Sequence, residues 1–403
     1  LLFPGGDAWA AAVASLGLLG TALACRLARP TAAIERLQQG ASAKWAMAVI
    51  ALSAATAIPL AAIELAARGL TNWNVLKHHL PIETVWKAGA DDWRTATITA
   101  DEYRDPDPVL LWHPVSRKPY NSQRMKGPLL TTPKRDGVIR VMCYGDSLTD
   151  GPPRGDWPSR LHSMLQRPTS PTGLHFEVVN AGVAGYSSLQ GLSRFLQQVD
   201  RYQPDLVLVS YGWNDVAQAV GPADRDFRPP AWPVVSLQRA LIRYRAYRVL
   251  TYYVRKLRPE PAARPAIPYH PRVSAEEYLA NLDRFRSEAE ARNISMVFLT
   301  RPHQMPPSLL RRTETWRRHV PEYNAALIEW ARRKRLALID VQQFFEDQPT
   351  SLFSDECHFV PAGYELMSEL VRERLFEGPQ RLIRIEGQPP RVARVNEAGP
   401  GPI

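Results

Sequence analysis

The chain has 403 residues, with 50 basic against 40 acidic side chains and a formal charge of +10. With 45% hydrophobic and 22% charged residues it can bury a core, which excludes wholesale disorder, collagen and a coiled coil. Three cysteines with no CxxC pair exclude a disulfide scaffold and an all-cysteine zinc site.

The basic balance suits an anionic membrane surface or nucleic acid. No RNP, zinc-finger or helix-turn-helix pattern occurs, so no nucleic-acid partner is expected. Two uncharged stretches open the chain, Ala8 to Cys25 with 18 residues and Trp45 to Ile63 with 19. Each is near the roughly 20 residues that cross a hydrocarbon core. Pro59 would kink the second, which a membrane helix tolerates when neighbours help. Between them lie Arg26, Arg29, Arg36 and Lys44 against Glu35, and no basic residue precedes Ala8. The positive-inside rule then places this connection in the cytoplasm and everything after residue 68 outside. Residues 1–68 are thus expected to form a transmembrane helical hairpin; a buried soluble hairpin is the alternative. Residues 69–137 read as an irregular extracytoplasmic connector that packs on the next domain, because Leu110, Trp112 and Tyr120 are poor choices for a free tether.

From Val138 the pattern changes. Short apolar runs at 138–144, 176–180, 206–211, 295–300 and 336–341 each end in a break, and helical periodicity fills the gaps between them. Leu189 to Tyr202 gathers Leu192, Phe195, Leu196 and Val199 on one face. Ser274 to Arg292 opens with a capping box, Ser274 and Glu277. Pro321 to Lys334 and Pro361 to Leu375 each carry Pro in the first turn. Alternation of this kind predicts a five-stranded parallel sheet covered by helices on both faces, with right-handed crossovers and reactive residues at the carboxyl ends of the strands.

The residues at those ends can do chemistry. Ser147, in "YGDSLTDG" after the first strand, would have an exposed hydroxyl beside a backbone N–H able to receive an oxyanion. Gly182, in "NAGVAGYS", would let a backbone N–H approach a ligand closely. Asn214, in "YGWND", offers a side-chain amide donor. Asp355 and His358, in "SDECHFVPAGY", offer a base and a carboxylate to orient it, provided the loop curls. Taken singly, each has a plain alternative: turn residues at Ser147 and Gly182, an Asx turn at Asn214, a surface loop at 355–358.

Four such features, in this order and at four strand ends, make a combination that resembles the SGNH hydrolases, the GDSL lipase and esterase family. The blocks stand here as Gly145-Asp146-Ser147-Leu148, Gly182, Gly212-Trp213-Asn214-Asp215 and Asp355-Glu356-Cys357-His358, within residues 138 to 376. The resemblance implies a three-layer, flavodoxin-like α/β/α fold. It implies a triad of Ser147 as nucleophile, His358 as base and then acid, and Asp355 orienting His358. It implies an oxyanion hole formed by the N–H groups of Ser147 and Gly182 and the side chain of Asn214. With the apolar N-terminus, the expectation is a membrane-tethered serine esterase on the periplasmic or extracellular side, acting on O-acyl groups of envelope carbohydrate or on lipid. An O-acyltransferase with the same triad and a catalytically idle binding protein are the rivals.

No HExxH or comparable spacing occurs, and neither a metal nor another cofactor is expected. His303 would line the substrate site or serve structure. Cys143 reads as core and Cys357 as a small residue in a tight loop. The catalytic domain spans 138–378 in this reading, with 379–403 as a tail. Its insertion, 216–273, holds one basic helix whose apolar face would pack on the core, lie on headgroups or form a lid.

Overall fold

The computed structural model describes residues 41–72, 94, 97–98, 103–166, 175–219, 221–256, 268–304, 315–377, 381–386 and 391–394. The chain separates into two compact units, residues 1–90 with 232–263, and residues 91–231 with 264–403.

The first unit holds helix α1 (Ala41–Asn72), with Pro59 inside it. Its stretch Ala48–Gly69 is long and apolar enough to cross a bilayer, and Leu52, Leu60 and Leu65 are 68%, 66% and 65% exposed. The other expected segment, Ala8 to Cys25, lies outside the described residues, so the hairpin itself is not seen.

The second unit begins with a hairpin of β1 (Arg104–Asp107) and β2 (Leu111–Pro114) in the connector that had read as irregular. There follow β3 (Val138–Gly145), α2 (Ser147–Asp150), α3 (Trp157–Leu165), β4 (His175–Asn180), α4 (Ser188–Tyr202), β5 (Leu206–Ser210) and α5 (Trp213–Val216). The insertion contributes α6 (Trp232–Leu241) and α7 (Arg245–Lys256) to the first unit. The second unit then resumes with α8 (Ala275–Glu290), β6 (Ser295–Leu299), α9 (Val320–Lys334), β7 (Ala337–Ile339), α10 (Val341–Glu346) and α11 (Pro361–Phe376). A last hairpin, β8 (Ile383–Glu386) with β9 (Arg391–Arg394), stands where a tail was expected, and Ile383 joins the core.

The five strands pair in parallel in the order β4-β3-β5-β6-β7. The order reverses at β3, so the crevice at the carboxyl ends of β3 and β5 is the natural place for a site. Every residue of β3 is buried, as a strand covered on both faces requires. Ile139, Val141 and Cys143 enter the cluster formed with Leu161 of α3 and Met367, Leu370 and Val371 of α11. Tyr144 points the other way, onto Phe195 of α4 at 5.6 Å and Phe285 of α8 at 6.2 Å between ring centres. The two sides of one strand thus hold two helical layers, and the reactive turn leaves from its buried end.

Candidate active site

Ser147 follows a turn that admits only glycine at 145, since a Cβ there would meet the Thr149 hydroxyl at 2.1 Å and the Ser210 carbonyl at 2.8 Å. Asp146 then caps α2, its carboxylate accepting the Leu148 N–H at 2.9 Å. This leaves the Ser147 hydroxyl 2.7 Å from His358 Nε2. On the other side of the ring, Nδ1 lies 2.7 and 3.0 Å from the two Asp355 oxygens. With the proton on Nδ1 donated to Asp355, Nε2 accepts from Ser147. The expected curl of the loop has a visible cause: Asp355 Oδ1 also accepts the backbone N–H groups of Cys357 and His358, at 2.9 and 2.8 Å. Burial would raise the Asp355 carboxyl, but these hydrogen bonds and the His358 ring outweigh it and hold it below the usual carboxylate range.

Asn214 stands in α5, just past the end of β5. Its amide donates to the Tyr186 carbonyl at 3.1 Å, which leaves its second N–H for a ligand. The preceding Gly212 has φ +135° and donates to Asp215 at 3.1 Å, a conformation that suits glycine alone. Asp215 is fully buried and also accepts from the Ser188 N–H at 2.9 Å. Burial pushes its carboxyl up to about 7, against the hydrogen bonds from Ser188.

Gly182 is a correction. It is buried, and its N–H donates to Asn180 Oδ1 at 2.9 Å, so the donor expected to face an oxyanion is already spent. A Cβ at 182 would meet the Asp150 backbone nitrogen at 2.6 Å, and this close packing is what the glycine serves. Gly185 is partly exposed instead, with φ +85°. Its carbonyl is fixed by Arg272 at 2.9 Å, and its N–H has no acceptor among the described residues.

Sequence reasoning missed Arg301, which follows β6 and is fully buried. Its Nε donates to Asp146 at 2.9 Å and its Nη1 to the Cys357 carbonyl at 3.1 Å, so one guanidinium ties the residue before Ser147 to the residue before His358. Gln304 adds hydrogen bonds to the Asp355 and Glu356 carbonyls at 3.0 and 2.9 Å. The neighbouring His303 lines a cavity of about 310 Å³ with Gln342, Phe345 and Phe353, and burial holds its imidazole below the ordinary value.

The connector reaches the same turn. Lys126 is buried, pairs with the Asp150 carboxylate at 2.9 Å and donates to the Gly151 and Pro152 carbonyls at 3.1 and 3.2 Å. The Tyr120 hydroxyl donates to the same carboxylate at 3.0 Å. Trp112 donates to the Ala184 carbonyl at 3.3 Å and packs edge-on to Tyr186. These contacts brace α2 and the 182–186 loop together.

Among the described residues, one His, Cys and carboxylate cluster is tight enough for a metal, formed by Asp355, Cys357 and His358. Two of its members are already joined by the relay to Ser147. Cys357 is buried, and burial pushes its thiol up, away from the nucleophilic thiolate.

Residues 143–366 match the model of the GDSL-like lipase/acylhydrolase family. The chain is 35% identical over 79 residues to an arylesterase of Vibrio mimicus, covering 19% of this chain and 38% of that protein. It is also 35% identical over 90 residues to thioesterase 1/protease 1/lysophospholipase L1 of Escherichia coli K12, covering 22% and 40%. It therefore spans about two-fifths of the length of the curated relatives it matches. The crystal structure of a lipase/acylhydrolase from Enterococcus faecalis aligns with 59% of this chain and 95% of its own at 18% identity, with a TM-score of 0.39. A match over more than half the chain, starting two residues before the reactive turn and running past the Asp355–His358 loop, places this chain in the GDSL-like lipase/acylhydrolase family.

Proposed function

We propose that the protein is a serine esterase working through an acyl-enzyme on Ser147. The observation that carries this is the unbroken relay from Ser147 through His358 to Asp355, with both hydrogen bonds at 2.7 Å. His358 takes the hydroxyl proton as Ser147 attacks the ester carbonyl, then passes it to the departing alcohol. Asp355 holds the ring in the accepting tautomer and stabilises the cation that forms. The N–H groups of Ser147 and Gly185 and the side chain of Asn214 receive the oxyanion. Water then repeats the attack, with His358 as base, to release the acid.

The favoured substrates are O-acyl groups on envelope carbohydrate or lipid. Support comes from the exposed apolar helix Ala48–Gly69 and from the basic residues before it, which by the positive-inside rule favour a hydrolase unit on the far side of the membrane. The same triad would serve an O-acyltransferase in which a sugar hydroxyl replaces water, or persist in an idle binding protein. The test is turnover of p-nitrophenyl esters, acetyl through decanoyl, by the full chain in detergent beside Ser147→Ala. Turnover that vanishes in the variant supports the esterase, and the preferred chain length separates deacetylation from lipolysis. Release of free acid that falls when a polyol acceptor is added would favour the transferase. No turnover and no labelling of Ser147 by a phosphonate would leave the binding protein.

A further inference from the structure

The insertion was expected to carry one basic helix whose apolar face would pack on the core, lie on headgroups or form a lid. It instead forms two helices, α6 and α7, that group with the apolar helix α1. No Gly or Pro breaks them at residues 242–244. The second helix begins where Glu64 of α1 meets it: one Glu64 oxygen accepts the Arg245 N–H at 3.0 Å and the other accepts the Ala246 N–H at 2.9 Å. A carboxylate at a helix N-terminus satisfies amides that otherwise lack partners and complements the positive end of the helix.

The position of Glu64 matters. It is the first charge after the uncharged run Trp45 to Ile63 and pairs with Arg68 at 2.9 Å. A span that crosses a bilayer places such a residue where the helix leaves the hydrocarbon. The start of α7 is locked to that level.

The surface of the two helices fits the same place. Trp232, Leu237, Leu250 and Val254 are 52%, 59%, 60% and 46% exposed. From Phe227 to Arg258 the sequence has eight basic residues and no acidic one, so this stretch carries most of the net charge of the whole chain. A helix meant for water alternates the signs of its charges and hides its leucines. One meant for an anionic interface exposes apolar side chains among cations.

We propose that residues 232–256 are a second membrane contact, a helical hairpin lying in the headgroup region of an anionic bilayer and locked to the apolar helix by Glu64. The inference rests on the reading of Ala48–Gly69 as a membrane span.

The test uses the full chain in nanodiscs of mixed phosphatidylcholine and phosphatidylglycerol. Single cysteines at Leu52, Leu250 and Leu129, in a Cys25→Ala background, carry an environment-sensitive fluorophore; the native Cys143 and Cys357 are buried and escape labelling. Nitroxide lipids then read depth. The expected result is deep quenching at Leu52, shallow quenching at Leu250 and none at Leu129, which is 59% exposed in the hydrolase unit. Quenching at Leu250 should fall at least twofold in Glu64→Ala and in nanodiscs lacking phosphatidylglycerol. Leu52 quenched with Leu250 water-like would overturn the hairpin and leave the span. A Leu250 probe that is shielded but unquenched would assign the face to a protein partner and overturn it as well. An unquenched Leu52 would remove the span and the hairpin together.

Discussion

The turn that presents Ser147 and the loop that presents His358 meet at one hydrogen bond, yet they are held in different ways. Around Ser147, the residues Gly145, Asp146, Leu148, Thr149 and Asp150 are all buried, braced by Lys126 and Tyr120 from the connector and by Asn180, whose amide donates to the Thr149 carbonyl at 2.6 Å. Across the gap, the His358 and Asp355 side chains are 34% and 45% exposed. That loop is shaped mainly by its own carboxylate and tied inward by Arg301 and Gln304. The sheet fixes Ser147, while His358 arrives on a short loop that brings its own orienting carboxylate.

Substitutions on the two sides should separate these contributions. Ser147→Ala removes the attacking atom and should lower kcat by about 10⁶-fold, measured on a p-nitrophenyl ester with folding checked by circular dichroism. Asp355→Asn should cost about 10⁴-fold, because the ring loses its tautomer control while the Asn oxygen can still accept from Cys357 and His358. A much smaller loss would mean that the loop, and not the carboxylate, positions His358.

Arg301→Met cuts the tie between the two sides. It leaves Asp146 buried without its counter-ion, which should lower the unfolding free energy by about 3–5 kcal/mol, read by urea denaturation. Adding Asp146→Asn should restore most of that stability, while kcat stays about 10–100-fold low because the Cys357 carbonyl is still untethered. Recovery of both would reduce Arg301 to a plain structural ion pair.

The smallest effect concerns Asp215. Burial pushes its carboxyl from the ordinary value near 3.8 up to about 7, so proton uptake stabilises the folded state. Relative to Asp215→Asn, the wild type should lose stability as pH rises from about 4 to about 7 and hold level above that. Melting curves of both proteins across that window check the sign, and a flat difference would place the ionised form in the native core.

Much of this was legible from periodicity. The five strands and the helices at Leu189, Ser274, Pro321 and Pro361 follow from apolar spacing, and their bounds moved by only one or two residues. What stayed hidden depends on distant partners. Nothing local marks Arg301 as buried, since Asp146 lies 155 residues away. The proposed exchange of Gly182 for Gly185 turns on the Asn180 side chain, which takes the Gly182 N–H. The break between α6 and α7 is set by a cap from another segment, 181 residues earlier in the chain. The helix α3 went unread, although Pro158 stands in its first turn and Asp156 caps it onto the Ser159 N–H at 3.0 Å.

The insertion also divides the hydrolase in sequence. Strands β3, β4 and β5 precede residues 232–263, and β6 and β7 follow them. Ser147 and Asn214 are therefore encoded on one side, and Arg301, Asp355 and His358 on the other. A single cut in the insertion would yield two polypeptides, each with part of the triad, joined among the described residues by the strand pair β5 against β6 and the bridge from Gln218 to Pro271. The proposed ester turnover would in this sense make a split reporter, appearing only where the two fragments reassemble.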